Sequence, residues 1–398
     1  MLRGFLAGMQ TVSISDDGDA FDEAYDLLGH VDEKLLDAYA EDLRNDAHLH
    51  IVFGSRLVSV FDRVEQRAGS ANNNSREETT NAAHQQPHHE DSVVTRHMIF
   101  NERSGFIQTA VPVDAVGAPY DATKAPPPPL ASTHLGGLAL AYLIWRKSLL
   151  RAEDRYCQEA GKGYLQANTE QQPNVVLIGA GGCSLATTLA SVTKSLTAVE
   201  VCSEVIQAAE QWFGVGPRQR QFDLIQSCGI EYVASQAQDA SIDVLLIDAE
   251  DGAAPPREMQ TSHFWSDIVL PKLARSAVVG INVIGDRVKE RDVFQHRLEQ
   301  YLNNKNKEKK RVVVHNIVPP PEAALTGDTC ALFFFRVSTA TAEDTGVPTT
   351  ASILDDIGRG GGTKDDYALL SRVVSEPEAW KRALLRRDDE KQRSKTQL

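Results

Sequence analysis

A glycine-rich turn followed by an acidic residue is the pattern in this sequence best suited to chemistry. In the segment Asn174–Ser184, NVVLIGAGGCS, an apolar run breaks into Gly179, Gly181 and Gly182 before an apolar segment of helical period resumes. Glycines at the end of a strand let a cofactor approach the backbone, and Glu200, 21 residues after Gly179, suits a carboxylate that binds ribose hydroxyls. A GxGG turn alone also occurs as a tight strand-to-helix connection. Together with the acid it predicts a site for a nucleoside-bearing cofactor.

The elements around this turn alternate regularly between strand and helix. Segments of helical period separate strand-like runs at 175–179, 196–201, 222–227, 242–248 and 277–284. This rhythm predicts a doubly wound α/β fold with a parallel sheet, in which ligands bind outside the carboxyl ends of the strands. Two further runs, 311–318 and 329–338, have no room for a helix between them, so the last pair is predicted to be antiparallel.

The flanking regions define the predicted domain organisation. A turn at 101–105 between alternating runs predicts a β-hairpin, so a small β-hairpin domain should precede the main sheet. The region 68–92 has almost no apolar residue and is predicted to be a disordered insertion. The predicted divisions are an N-terminal segment 1–67 without an assigned role, the insertion 68–92, the hairpin and Pro-rich linker 93–130, the main domain 131–340, and a charged, partly helical extension 341–398.

Composition excludes several classes of function. The 398-residue chain carries a net charge of −14, which argues against nucleic acid as the main partner and suits a cationic substrate or a basic protein. Its five cysteines are odd in number and lack CxxC spacing, so neither a disulfide framework nor a metal site is expected. No apolar run reaches the roughly 18 residues of a membrane span, and we predict a cytoplasmic protein.

The details of the turn favour one cofactor class. The position three after Gly181 is Ser184, where the dinucleotide fingerprint has Gly or Ala. The antiparallel closing pair also departs from the arrangement of NAD-binding sheets. Both observations favour S-adenosylmethionine (AdoMet) or its decarboxylated form.

The region from about 94 to 340 resembles the spermidine-synthase-like branch of class I methyltransferases. The resemblance rests on SGFIQTA, HLGGLALAYL, the glycine turn, CGIEYV and IDVLLIDAED. The segment VEVCSEVIQAAEQWFGV and the loop before FWSDIVLPKL are most similar to the C-terminal half of the elongation factor 1-alpha lysine and N-terminal methyltransferases, in the methyltransferase-like family. The resemblance implies a seven-stranded Rossmann-like sheet, AdoMet as cofactor, and a protein amine as substrate, with elongation factor 1-alpha as the candidate acceptor. It also suggests a homodimer.

The resemblance assigns roles to individual residues. Those implied to bind cofactor are the turn glycines Gly179, Gly181 and Gly182, the ribose-binding Glu200, the adenine-contacting Gly229 with nearby Tyr232, and Gln108 of the hairpin, which is implied to lie near both cofactor and substrate. Asp248 and Asp251 match an Asp-x-x-Asp pair that orients and deprotonates an attacking amine. Helix capping or a solvated loop is the alternative reading of these two carboxylates.

Three cysteines replace polar residues of the family pattern. Cys183 or Ser184 stands where spermidine synthases have the aspartate that binds the cationic tail of decarboxylated AdoMet, and Cys202 and Cys228 stand where acids contact adenosine. The three cysteines follow successive strands, so they should gather at one rim, either as a thiol-lined pocket or as small residues filling space. Three functions stay open: a protein methyltransferase, a polyamine aminopropyltransferase, and a non-catalytic binding module.

Other residues near the predicted pocket receive structural interpretations. His134 and His263 are interpreted as packing or surface histidines, and Trp212 and Phe213 as core. The segment 251–265, which contains two prolines, is predicted to be a substrate lid.

Overall fold

The computed structural model describes two β-sheets and the helices packed on them. The described residues are 49–66, 92–101, 103–120, 135–146, 171–249, 255–284, 288–304, 314–317 and 330–336. The predicted insertion (except its last residue), the proline-rich linker, the C-terminal extension, Asp251 and His134 lie outside the described residues. No helix within these ranges is long and apolar enough to cross a membrane.

The main sheet has seven strands among the described residues. They are β5 (Asn174–Ile178), β6 (Ser195–Glu200), β7 (Asp223–Gln226), β8 (Ile242–Ile247), β9 (Leu273–Ile284), β10 (Val314–Ile317) and β11 (Cys330–Arg336). Their order is β10-β11-β9-β8-β5-β6-β7. The five strands from β9 to β7 are parallel, whereas β11 runs antiparallel to both β9 and β10. The predicted α/β fold with an antiparallel last strand is therefore confirmed.

Apolar layers cover both faces of the main sheet. The helices among the described residues are α1 (135–146), α2 (Ser184–Ala190), α3 (Ser203–Trp212), α4 (Gly229–Glu231, continued by a π-helical turn Tyr232–Gln236), α5 (a π-helical turn Phe264–Val269 continued by Leu270–Lys272) and α6 (Val288–Asn304). A short 3₁₀ helix, Arg257–Gln260, precedes α5. In β5, Val175 and Leu177 pack in the layer with α1 and α2, and Val176 and Ile178 pack in the layer with α5 and α6. A strand covered on both faces needs a continuous apolar run, which is what its sequence shows.

The strand β9 begins four residues earlier than the predicted run at 277. Its pairing with β8 jumps from Ile242 opposite Leu273 to Val244 opposite Val278. This irregularity places additional residues in β9 before the regular ladder, and a bulge of this kind has no periodic signal in the sequence.

The N-terminal sheet contains four antiparallel strands in the order β1-β2-β3-β4. They are β1 (Leu49–Gly54), β2 (Val58–Gln66), β3 (Ser92–Phe100) and β4 (Arg103–Val113). The predicted hairpin is β3–β4. The first two strands come from the segment that had no assigned role, and β2 pairs with β3 along nine residues, from Val58 opposite Phe100 to Gln66 opposite Ser92.

One face of the N-terminal sheet packs against α3. Val58, Val60 and Met98 of the sheet share an apolar cluster with Val205 and Ala208 of the helix. This face of the N-terminal sheet is therefore covered by α3, one of the helices that follow the strands of the main sheet.

A buried ion pair fixes this sheet to the end of α3. The Arg96 guanidinium donates to both carboxylate oxygens of Asp62 at 2.7 Å, and both side chains are fully buried. Arg96 also donates to the carbonyl oxygen of Trp212 at 3.1 Å and lies 5.0 Å from the Trp212 ring centroid. The backbone N–H of Gly117 donates to Asp62 at 2.7 Å. Bidentate pairing and these extra hydrogen bonds are what a buried charge requires.

Candidate functional site

The glycine turn follows β5 at the point where strand order reverses. Gly179 has φ +87°, and its N–H donates to the carbonyl oxygen of Val199 at 2.9 Å. A β-carbon on Gly179 would collide with the backbone carbonyl of Asp248. Because backbone cannot move aside as a side-chain tip can, Gly179 is required by the packing of the chain on itself.

The other two glycines of the turn differ from each other. A β-carbon on Gly182 would lie 2.5–2.7 Å from side-chain atoms of Thr109 in β4, whose hydroxyl oxygen accepts a hydrogen bond from the Gly182 N–H at 3.0 Å. A β-carbon on Gly181 would find its nearest neighbours at 3.6 Å, in Thr109, and at 4.0 Å, in Met98. Gly181 is therefore the glycine of this turn that leaves room for a ligand.

Glu200 ends β6 beside the turn, as predicted, and is itself part of the turn's hydrogen bonding. One carboxylate oxygen accepts the N–H groups of Ala180 at 3.1 Å and Gly181 at 3.3 Å, and the other accepts the N–H of Cys202 at 3.0 Å. Burial raises the pKa of this carboxyl group, although the backbone donors oppose the rise. A carboxylate accepts about four hydrogen bonds, so about one acceptor position is left for a ligand.

An exposed apolar residue next to Glu200 was not identified from the sequence. Val201 is 66% exposed, directly after the strand-terminal acid. An apolar surface at this position would suit a flat base next to the ribose that Glu200 is predicted to bind. The sequence did carry a signal for this residue, because Val201 is an apolar residue placed directly between Glu200 and the start of α3.

Gly229 begins α4 at the same edge. A β-carbon there would collide with the side chain of Ile178, so this glycine is also required by packing. Tyr232 is half-buried in the π-helical continuation. The adenine-contacting role implied for this segment stays a prediction.

Asp248 follows β8 and lies against the glycine turn. Its N–H donates to the carbonyl oxygen of Ile178 at 2.8 Å. The side-chain amide of Asn282, a fully buried residue of β9, donates to the Asp248 carboxylate at 2.9 Å. Asp248 is half-buried, so its side chain is partly enclosed by the protein and partly accessible. Asn282 was not identified from the sequence, although it stands out as a polar residue within the apolar run VVGINVI.

In the N-terminal hairpin, Thr109 makes the contact with the glycine turn. Gln108, the residue assigned from the resemblance, is half-buried next to it in β4. The structure identifies Thr109 as the residue in contact with Gly182, and the role implied for Gln108 near a cofactor stays a prediction.

The three predicted rim cysteines occupy the positions before α2, α3 and α4, but they have different environments. Cys183 has φ 63° and is fully buried in the core, where burial and the charge of Glu200 raise the pKa of its thiol. Cys202 and Cys228 are half-buried. Of the three cysteines, only Cys202 and Cys228 can contribute to an accessible rim. No cluster of three or more His, Cys, Asp or Glu within the described ranges could hold a metal ion.

The described part of the predicted lid packs into the core. Met259, Phe264 and Trp265 are buried between β9 and α6, and the last two form an edge-to-face ring pair. Residues 255–265 are thus anchored by these side chains, and the substrate-lid role of 251–265 stays a prediction. The side chain of His263 is 73% exposed and lies 3.0 Å from Asp267, which agrees with its interpretation as a surface histidine.

The sheet order and the glycine turn at its switch point define an α/β fold of the class I methyltransferase type. Among solved structures, the chain is similar to the spermidine synthase of Thermotoga maritima, with a TM-score of 0.41 at 12% identity over 74% of this chain and 76% of that one. It is also similar to a probable spermidine synthase of Corynebacterium glutamicum, with a TM-score of 0.42 at 16% identity over 79% and 91%.

Human methyltransferase-like protein 13, in a structure with SAH, gives a TM-score of 0.38 at 18% identity over 59% of this chain and 91% of that one. No known protein-family profile matches the chain, and no curated protein sequence is significantly similar to it.

Proposed function

We propose that this protein is an S-adenosylmethionine-dependent methyltransferase that acts on a protein amine. The observation that carries the proposal is the Asp248 carboxylate, held by the buried Asn282 beside the glycine turn at the carboxyl edge of the sheet. That edge is where α/β sheets of this kind bind ligands.

The residues at this edge fit an adenosyl group. Gly181 leaves space for close approach, Glu200 retains about one acceptor position for a ribose hydroxyl, and Val201 offers an exposed apolar surface for a base. AdoMet would supply a methyl group on a sulfonium. The single remaining acceptor position at Glu200 predicts a weaker hold on the ribose than two free carboxylate oxygens would give.

The chain's own contribution to catalysis is to position the amine. Methyl transfer requires a neutral nitrogen held in line with the methyl carbon, and such orientation supplies most of the rate in reactions of this type. Asp248 would accept a hydrogen bond from the amine and take its proton, a contribution worth roughly 10²–10⁴ in rate. Asn282 would keep the carboxylate oriented, since its side-chain amide donates to one of the carboxylate oxygens.

The substrate assignment rests on the sequence. The motifs quoted above resemble those of the elongation factor 1-alpha methyltransferases, and a net charge of −14 favours association with a basic, lysine-bearing partner. Elongation factor 1-alpha is the candidate acceptor. A cytoplasmic location and a homodimer accompany this proposal.

Aminopropyl transfer is less well supported by the glycine turn. The position where a synthase needs an acid holds Cys183, whose side chain is fully buried, and the next residue is the half-buried Ser184. Neither can bind the cationic tail of decarboxylated AdoMet as a carboxylate would.

Calorimetric titration separates the candidate functions. We expect heat of binding with AdoMet and little with decarboxylated AdoMet. The reverse preference would indicate an aminopropyltransferase, and no binding of either would indicate a non-catalytic module.

Substitution of Asp248 tests the mechanism. With labelled AdoMet and elongation factor 1-alpha, Asp248→Asn should lower methyl transfer roughly 10²–10⁴-fold while leaving AdoMet affinity unchanged. Asp239→Asn is the matched control, because Asp239 is 78% exposed and pairs only at the surface with Lys272. Equal activity of wild type and Asp248→Asn would remove this residue from the mechanism.

A further inference from the structure

The five backbone N–H groups of the glycine turn, residues 179–183, all have acceptors within the chain. Two of them donate to the Glu200 carboxylate at 3.1 and 3.3 Å, and one donates to the Thr109 hydroxyl oxygen at 3.0 Å. The first and the last donate to backbone carbonyl oxygens at 2.9 and 2.8 Å. Glycine-rich turns before a helix commonly offer such groups to the anionic part of a ligand. Here an anionic group of a cofactor must find its donor outside residues 179–183.

The Thr109 hydroxyl is a donor that stands open beside this turn. A hydroxyl group has one hydrogen to donate and two lone pairs that accept. Thr109 uses a lone pair for the Gly182 N–H, and its own hydrogen has no acceptor among the residues that the structure describes. The residue is only 5% exposed, so water is largely excluded from it. Because buried polar groups are normally hydrogen-bonded, this donor suits an acceptor that a ligand supplies.

The Thr109 hydroxyl borders the space over Gly181. Its oxygen lies 3.6 Å from the position of a β-carbon on Gly181, and the Met98 methyl carbon lies at 4.0 Å. Thr109 and Met98 face each other in the β3–β4 ladder, so both side chains point to the same face of the N-terminal sheet. The space over Gly181 therefore has a polar side and an apolar side. The amino-acid portion of AdoMet, a carboxylate on a short apolar chain, has the same character.

We propose that the Thr109 hydroxyl binds the carboxylate of AdoMet and thereby selects AdoMet over its decarboxylated form. This inference deepens the proposed function and rests on it. Thr109 donates its hydrogen to the carboxylate while it accepts the Gly182 N–H, so one side chain of the N-terminal sheet holds both the turn and the cofactor. Decarboxylated AdoMet keeps the sulfonium and the amine and lacks only the carboxylate, so it forms no such bond.

The expected selectivity follows from the strength of this bond. A hydrogen bond to a charged group contributes roughly 10–100-fold in affinity. The Glu200 carboxylate, which accepts two N–H groups of the same turn, repels a second anion and places the expected value at the lower end of that range. Wild-type protein should therefore bind AdoMet about tenfold more tightly than decarboxylated AdoMet.

Calorimetry with both cofactors on variants of the full chain tests the selection. Thr109→Val replaces the hydroxyl with a methyl group of similar size. Loss of the acceptor for the Gly182 N–H affects both cofactors alike, so the ratio of the two dissociation constants isolates the contact with the carboxylate. This ratio should fall from about ten to about one in Thr109→Val, and Thr109→Ser, which keeps the hydroxyl, should retain it.

Thr193→Val is the matched control for loss of a buried hydroxyl. Thr193 is 9% exposed, and its hydroxyl donates to the carbonyl oxygen of Ala190 at 3.3 Å. It precedes β6 and thus lies at the sheet edge opposite the glycine turn. The substitution should lower stability without changing the ratio.

Denaturant titration establishes that each variant is folded, and displacement of AdoMet measures the weaker binding of decarboxylated AdoMet. If Thr109→Val does not fold, Thr109→Cys takes its place with the same expected ratio, because a thiol is only a weak donor. A ratio near one in the wild type, or near ten in the folded variant without the hydroxyl, would overturn the proposal and leave AdoMet as the cofactor. Failure of the wild type to bind AdoMet would refute the proposed function, and the selection with it.

Discussion

Replacing Gly181 with alanine tests whether this glycine is needed for ligand binding. Gly182, in contrast, is needed for packing against Thr109. A β-carbon at this position meets no atom closer than 3.6 Å, so the folded chain accommodates it, but φ is +51°. Left-handed backbone costs a residue with a β-carbon about 1–2 kcal/mol. We expect Gly181→Ala to lose about that much free energy of unfolding and, because the β-carbon occupies the open approach, to bind AdoMet at least tenfold more weakly.

Gly117→Ala is the matched control for backbone strain. Gly117 has φ +73°, and no atom lies within 4 Å of the position of its β-carbon. The same conformational cost should therefore appear without any change in AdoMet affinity. Denaturant titration measures the stabilities of both variants, and calorimetry measures their affinities.

Gly182→Ala is the contrasting variant for packing. Its β-carbon would meet Thr109 at 2.5–2.7 Å, and overpacking of this kind costs typically about 1–3 kcal/mol. A compensating Thr109→Gly substitution should recover part of this loss. If Gly181→Ala binds AdoMet as tightly as the wild type, the assignment of Gly181 as the open approach to the cofactor is wrong.

Two further predictions concern the N-terminal sheet. Arg96→Met should destabilise the protein by about 3–5 kcal/mol because it leaves the Asp62 carboxylate buried without its cationic partner. The double variant Asp62→Leu/Arg96→Met should lose much less free energy of unfolding in denaturant titration. A double variant as unstable as the single one would contradict this. Burial lowers the pKa of His97 to about 4, so the folded form stays neutral while the unfolded chain gains a proton below its ordinary pKa of 6.5. Stability should therefore be complete above about pH 6.5 and decline by about 3 kcal/mol as pH falls to 4. His97→Phe should remove this decline in denaturant titrations at several pH values, and the exposed His263→Gln should not.

The main sheet was predictable because its strands are covered on both faces. A buried parallel strand favours a continuous apolar run, and β5 and β8 each contain four consecutive apolar residues, Val175–Ile178 and Val244–Ile247. The antiparallel pairing of the last two strands was predictable because the connection between them is too short to contain a helix. The start of β9 was not predictable, because it depends on the irregular pairing between β8 and β9 rather than on periodicity.

The candidate site was predictable in its strands but less so in its side chains. Glu200 and Asp248 stand where the pattern placed them, at strand ends beside the glycine turn. Thr109 and Asn282 were missed, because their importance arises from contacts with residues 73 and 34 positions away in the chain. Asn282 is marked locally as a polar residue in an apolar run, but the partner of neither residue can be read from the local sequence.

The sheet formed by residues 49–66 and 92–113 also affects how the protein is made. It is translated before α3, yet the Arg96–Asp62 pair contacts Trp212, which lies 116 residues after Arg96. At roughly 5–20 residues per second, the ribosome needs roughly 6–23 s to synthesise that stretch. Until α3 emerges, these strands expose an apolar face and a pair of charges that lack their final cover. The nascent chain therefore passes through an interval in which this sheet needs protection from aggregation, and co-translational chaperone binding is expected to fall within that interval.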